Sequence, residues 1–546
     1  MKKYFCILFL LSFCMYLLGV EFEYNFSDIE QNSKLLIRNY QGRLQPELMS
    51  SGILLIQGGR ASNHNNAVIF PEIIENTYEI ENYSFEILIS EGGEGAGFAL
   101  INTDYISDDY YSFKTESWEK PRFANSFGLG IDIYNPKTSA WFDKYGNFYG
   151  REEREISLFW NQKEIYKLLS PVEFRSDPME DSTSQFDLSI KYVTAGALIS
   201  LAINDTSVVT DYFIPEMVQY EKRPVFGAST GDLTSTFALI NFKANTVGEA
   251  PKIKENGRVT LLKDETFYAG RRNMFTQVDF KNVAKSSNKA IMTLDLQGAT
   301  GGLSTWDVGA AIYIVDKDST MYEICRYITP YNRAYTWKID VTDYLMLFND
   351  IQTIYAKVDT WETVTDNPLA QKGWKVNAYI DFYSGNEKYI AFDINNIWSG
   401  FFEYGNPNKP LKDYLTEYRT KIPKNTKKAK LKVIVTGHGM SPNDDNAGEF
   451  RPSNRIITAN DLSFENLLWK EDCYLNPCRP QDGTWKFDRA GWAPGDVVKA
   501  WEIDLTELIS DKELILNYFP DDYVNTNIGE HFAPHHWIEA QLIFYK

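Results

Sequence analysis

The strictest constraint on this chain is an alternation of apolar and polar residues with a period of two. In residues 374–382, Trp374, Val376, Ala378, Ile380 and Phe382 fall on one side of an extended backbone, and Lys375, Asn377, Tyr379 and Asp381 on the other. That pattern fits a half-buried antiparallel strand; an amphipathic helix would repeat its apolar residues every three or four positions. Ser84-Phe-Glu-Ile-Leu-Ile, Met292-Thr-Leu-Asp-Leu, Ile354-Tyr-Ala-Lys-Val-Asp and Trp537-Ile-Glu-Ala-Gln-Leu-Ile-Phe-Tyr are further strand patterns. Between residues 21 and 245 short strands alternate with turns, and no convincing amphipathic helix appears. The predicted class is all-β, built of sandwiches.

A chain of 546 residues is too long for one core. Residues 21–245 are expected to form a first sandwich. Residues 246–257, with Gly248, Pro251 and alternating charges, read as a linker. Two more sandwiches are expected at 258–390 and 391–546, and the lysines of 421–430 as a solvated edge with no acidic partner. At the start, Met1-Lys2-Lys3 and the apolar run 4–18 have the form of a secretory signal peptide, 1–19, too short to cross a bilayer. The expected destination is secreted, periplasmic or cell surface, with no membrane span after signal removal.

A net charge of −19 argues against nucleic acid, which needs a basic stripe. Aromatic residues, 15% of the chain, favour strands and provide flat surfaces for carbohydrate. Cys6 and Cys14 leave with the signal. Cys473 and Cys478 are close enough in sequence for a local disulfide, and Cys325 reads as a small buried apolar group. His531, His535 and His536 cluster near the end, but the adjacent pair would point to opposite faces of a strand and so make a poor metal site.

Gly95-Ala-Gly-Phe-Ala-Leu-Ile-Asn, Gly130-Ile-Asp-Ile-Tyr-Asn-Pro and Phe226-Gly-Ala-Ser-Thr-Gly followed by Ala238-Leu-Ile-Asn-Phe resemble the legume-lectin, or concanavalin-like, β-sandwich. That resemblance implies a calcium site, for which Asp132, Asn135 and Asp143, with Asn147 nearby, supply hard oxygen ligands. Plain turn chemistry at Asn135-Pro136 and Gly146-Asn147 is the alternative.

In the second half Trp306-Asp307 opens a strand, and Arg326-Tyr-Ile-Thr-Pro-Tyr reads as the following turn. Asp359-Thr-Trp, Glu449 in a glycine-bounded loop, and Asp488-Arg-Ala-Gly-Trp-Ala-Pro-Gly complete a set that resembles the peptide-N-glycosidase F family over residues 259–546. The resemblance implies two adjacent jelly rolls with a cleft between them, and hydrolysis of the amide joining an Asn side chain to N-acetylglucosamine. It needs no catalytic cofactor. By position it implies Asp307 and Glu449 as the catalytic carboxylates, and Trp306, Asp359, Trp361 and Arg489 as substrate-binding residues.

Two carboxylates in one cleft can be driven to different proton affinities and divide the proton transfers of amide hydrolysis. Asp307 would handle water and the amide and Glu449 would orient the reacting groups. The arginine fork would bind substrate oxygens and the indoles would stack on sugar. The chain departs from the family at Asp359 (for Glu), Val308 (for Arg), His438 (for Trp) and Ala493 (for Cys), and lacks the cysteines that brace the carboxylate loops. Singly, each residue has a plainer reading: Asp488-Arg489 as an ion pair, Glu449 as a solvated acid, Trp361 and Trp492 as core. The expected substrates are N-glycosylated proteins or glycopeptides, and the expected state is a monomer. The competing expectation is a carbohydrate-binding or adhesive surface protein with a decayed catalytic half.

Overall fold

The computed structural model describes residues 20–546 apart from 25, 58–62, 91–92, 107–111, 134–140, 143–147, 150–153, 176–181, 233–234, 281–282, 440–446 and 527–532. The signal segment 1–19, the calcium candidates Asn135, Asp143 and Asn147, and His531 lie outside the described residues.

The alternating stretch forms the strand Trp374–Ser384, paired antiparallel with Lys254–Phe267 on one side and Lys289–Gly298 on the other. Trp374, Val376, Ala378, Ile380 and Phe382 are all buried in one core. A central strand must satisfy backbone groups on both edges and bury one face, which is what the period of two encodes.

The chain is all-β and is arranged as three sandwiches. Among the described residues, the first pairs an eight-stranded sheet with a seven-stranded one. Phe85, Phe98, Phe186, Phe226 and Phe242 fill the space between them, with Phe85 and Phe186 stacked at 5.4 Å. This is the sandwich expected for residues 21–245. The glycines of its central strands have a steric cause. A Cβ on Gly227 would come within 2.1 Å of the Trp118 indole, because the segment carrying Trp118 packs on the outer face of the seven-stranded sheet. The indole N–H donates to Asn65 Oδ1 at 3.1 Å.

The second and third sandwiches each combine two four-stranded sheets, as in a jelly roll. The strand Ala391–Glu403 opens the third, and its centre is His535–Tyr545, almost wholly buried. His535 and His536 do face opposite ways: one ring stacks on Phe401 at 4.7 Å, the other on Tyr404 at 4.0 Å. Among the described residues, no cluster suited to a metal ion occurs and no helix is long and apolar enough to cross a membrane.

Four expectations need correction. The strand Lys254–Phe267 begins inside the stretch read as linker, since an exposed edge strand tolerates the charges that suggested a tether. The first module is also docked on the rest: Glu216 pairs with Lys338 at 2.5 Å and Glu164 with Arg479 at 2.6 Å. Lys430 does have acidic partners, Asp343 at 2.9 Å and Glu502 at 3.1 Å. The lysine pair 430 and 432 holds the buried Asp343 carboxyl well below the usual range, against the opposing effect of burial. Arg326 lies in the strand Met321–Ile328, fully buried, and not in a turn.

Finally, Cys473 and Cys478 are free and buried, so the expected disulfide is not formed. Cys473 Sγ faces the carbonyls of Lys470 and Trp492 at 3.4 and 3.5 Å, whereas Cys478 packs against Gly495. Neighbours in sequence are turned toward different surroundings by the short helical turn Cys473–Leu475.

Candidate active site

The site is assembled from three loops. Asp307 lies between the strands Lys289–Gly298 and Gly309–Val315 of the second sandwich. Thr329 fixes this loop: its hydroxyl accepts from Val308 N at 2.9 Å and donates to Trp306 O at 2.8 Å, while its own N–H reaches Val308 O at 3.0 Å.

Glu449 belongs to the third sandwich, between Lys428–His438 and Ser453–Ala459. Its N–H donates to Gly439 O at 2.9 Å and its carbonyl accepts from Ala490 N at 2.8 Å, which stitches its loop to that of Arg489. Glycine is required beside both. Gly448 has φ +100° and Gly491 φ +81°, and a Cβ at either would meet a backbone oxygen at 2.6 Å. The Arg489 loop is welded to the other sandwich by the segment after it. Gly495 N donates to Ile328 O at 3.0 Å, Ile328 N to Asp496 O at 2.9 Å and Val498 N to Arg326 O at 2.9 Å.

Arg489, 0% exposed, joins the two acids: Nη2 to Asp307 Oδ2 at 3.3 Å and Nε to Glu449 Oε1 at 3.0 Å. Asp307 and Glu449 remain 12% and 19% exposed, so the anionic ends of this buried trio reach solvent. Nη1 donates to the carbonyls of Thr484 and Phe487, both at 3.0 Å, and Nη2 also reaches Thr484 Oγ1 at 2.9 Å. The planar ion lies 4.7 Å from the Trp492 ring centre and 5.1 Å from that of Phe450. Its donors are turned to protein acceptors, so the expectation that its fork binds substrate is replaced by a clamp that orients two carboxylates.

Burial pushes the Asp307 carboxyl above its usual proton affinity, and Arg489 and the Tyr331 hydroxyl only partly offset this. Tyr331 OH also lies 3.0 Å from Thr484 Oγ1. With Tyr331 donating to Asp307, the Thr484 hydroxyl donates to Tyr331 and accepts from Arg489, which closes a consistent network. A largely buried acid that keeps some exposure and a raised proton affinity is suited to exchange a proton with a bound molecule.

Trp306, next to Asp307 in the chain, and Trp361 are 47% and 52% exposed, with ring centres 5.3 Å apart at 51°. They are neither core nor buried. Trp492, by contrast, is core, and its indole N–H donates to Gly437 O at 2.6 Å. Asp359 does not join the trio: its carboxylate pairs with Lys357 at 2.8 Å, and its N–H ties the loop to Gly309 O at 3.0 Å. Of the calcium candidates only Asp132 is described, at the end of the strand Phe127–Asp132.

Sequence reasoning missed Thr484, Gln481 and Glu362, and quoted Tyr331 without a role. Gln481 Oε1 accepts from Tyr331 N at 3.0 Å, and Glu362 Oε1 from Thr305 N at 3.3 Å. The proximity of Thr484 and Gln481 to Arg489 in sequence was the available signal; nothing local marks Glu362. His438 also contributes. It sits 5.4 Å from the Trp492 ring and is pushed down to about 3 by burial, so it is a neutral packing group whose Nε2 meets Thr436 Oγ1 at 2.7 Å.

Residues 406–533 match the family described as Peptide-N-glycosidase F, C terminal. Over an alignment of 214 residues that covers 35% of the chain, it is 28% identical to peptide-N(4)-(N-acetyl-beta-D-glucosaminyl)asparagine amidase F of Elizabethkingia miricola. The chain spans about half the length of that relative, 56%. Among solved structures it is similar to PNGase F, a glycosylasparaginase from Flavobacterium meningosepticum, at 21% identity over 54% of this chain and 96% of that one, with a TM-score of 0.46. It is also similar to the VIP36 exoplasmic/lumenal domain in its Ca2+/Man3GlcNAc-bound form, at 12% identity over 40% and 85% of the two chains, with a TM-score of 0.29. Residues 406–533 are thus similar to the C-terminal part of the peptide-N-glycosidase F family.

Proposed function

We propose, from this similarity, that the chain is an exported amidase that hydrolyses the bond between an Asn side chain and the first N-acetylglucosamine of an N-linked glycan. The observation that carries the reading is the buried Arg489 clamp, which joins Asp307 of one sandwich to Glu449 of the next while both carboxylates stay partly exposed. Water adds to the amide carbon, the C–N bond breaks, and the glycosylamine leaves with a proton while Asn becomes Asp. Asp307, with raised proton affinity and Tyr331 against it, takes the proton from water and returns it to the departing nitrogen. Glu449 orients the amide. Trp306 and Trp361 offer exposed faces for the sugar and the peptide flank. The basic and apolar start of the chain supports export.

A second reading, sugar binding without turnover, is favoured by two observations: Asp359 is neutralised by Lys357, and Arg489 has its donors engaged internally. One incubation separates the two. Purified protein is given an N-glycopeptide and the products are read by mass spectrometry. The amidase releases free glycan and leaves Asp for Asn, while Asp307→Asn loses at least about a thousandfold in rate. Equal product from wild type and variant sinks the amidase reading.

A further inference from the structure

We infer that the N-terminal sandwich is part of the machinery that positions the candidate active site, and that it acts through the ion pair between Glu164 and Arg479. The inference rests on the amidase reading for its kinetic consequence, but its structural half stands alone.

Glu164 lies on the strand Lys163–Leu169 of the first module, and its Oε1 takes Arg479 Nη2 at 2.6 Å; both side chains are largely buried. The other arm of Arg479 donates to Leu475 O at 2.7 Å. A guanidinium in such a place needs a carboxylate, because an unpaired charge removed from water is costly.

From Arg479 the chain runs directly to the site. Pro480 O accepts from Arg333 Nη1 at 2.7 Å. Gln481 is held between Pro494 O, at 2.8 Å from Nε2, and Tyr331 N, at 3.0 Å from Oε1. Asp482 Oδ2 receives Asn332 Nδ2 at 3.1 Å, and Thr484 receives Arg489 through both its carbonyl and its hydroxyl. Three consecutive residues after Arg479 therefore grip the stretch 331–333, and Thr484 grips the arginine that holds both acids. Anchoring Arg479 sets where this ribbon lies.

A second side chain of the same strand presses on the same region. Tyr166, two positions on and past a break in register at Ile165, has Lys499 5.6 Å from its ring centre and is backed by Tyr212 at 4.3 Å. Lys499 directly follows Val498, whose N–H binds Arg326 O. The other ion pair described between the first module and the rest of the chain, Glu216 with Lys338 of the second sandwich, meets the strand Tyr335–Asp340 and none of the site residues. It is the natural control.

The test uses the full chain and an N-glycopeptide. Glu164→Gln is expected to lower kcat about tenfold with KM held within about twofold, since geometry is disturbed and not affinity. Amide hydrogen exchange in residues 476–489 should quicken in the same variant. Glu164→Arg combined with Arg479→Glu should restore both readouts, and Glu216→Gln should change neither. Unaltered kcat and unaltered exchange in Glu164→Gln overturn the inference, as does an equal loss in Glu216→Gln. A wild-type protein that releases no glycan refutes the amidase reading instead, and exchange alone then decides the brace.

Discussion

Arg326 and Arg489 are both 0% exposed at the seam between the two jelly rolls, yet one is a fastener and the other a site. Arg326 forms a bidentate pair with Glu323 of its own strand, at 2.8 Å through both Nε and Nη2, and Glu323 is also 0% exposed. Its remaining arm crosses the seam to Trp537 O at 2.7 Å and Thr436 Oγ1 at 3.1 Å, with the Trp537 ring centre 3.9 Å away. Arg489 divides its charge between carboxylates of different sandwiches, and each of these reaches solvent. Burial of the cation is common to both; access to the anions is what differs. A sealed pair can only hold elements together, whereas an open one leaves an acid to exchange protons with a bound molecule.

The contrast can be broken by substitution. Arg326→Ala leaves Glu323 buried and unpaired and is expected to cost about 3–5 kcal/mol of stability, read by chemical denaturation. A small loss would show that the seam relaxes and that the two arginines are alike. Arg489→Lys keeps the charge and loses the fork; turnover of an N-glycopeptide should fall about a hundredfold while the denaturation midpoint moves little. Full turnover would remove the clamp from the mechanism.

Glu539 sharpens the sealed side of the comparison. Burial and then Glu323 raise its carboxyl to about 7, opposed by a Gln541 hydrogen bond and by Arg326. Because the folded value lies above the unfolded one of about 4.3, its contribution is complete below that value and is lost as pH rises through about 7. The melting temperature should therefore decline over that window, and Glu539→Gln should flatten the decline. A variant that melts with the wild-type profile would assign the pH dependence elsewhere.

Much of the fold was legible because its determinants are local. The alternation at 374–382 needs only a strand's geometry to place Trp374 and Phe382 inside, whereas the need for glycine at 97 and 227 comes from Trp118, which only the fold brings against them. The linker was misread at 254–257 because an edge strand and a charged tether share a composition. The disulfide was misread because spacing in sequence says nothing about which way a thiol turns.

The sequence by itself determined that this protein is a set of sandwiches, and it named Asp307, Glu449 and Arg489, since strand period and short motifs are written in consecutive residues. Only the tertiary structure decided that Arg489 joins those two acids, that Asp359 is held by Lys357, and that Glu164 of the first module reaches the loop of Arg479. Each of those pairings depends on the fall of electrostatic energy with distance in space, and distance in space between remote segments is set by how the sandwiches pack.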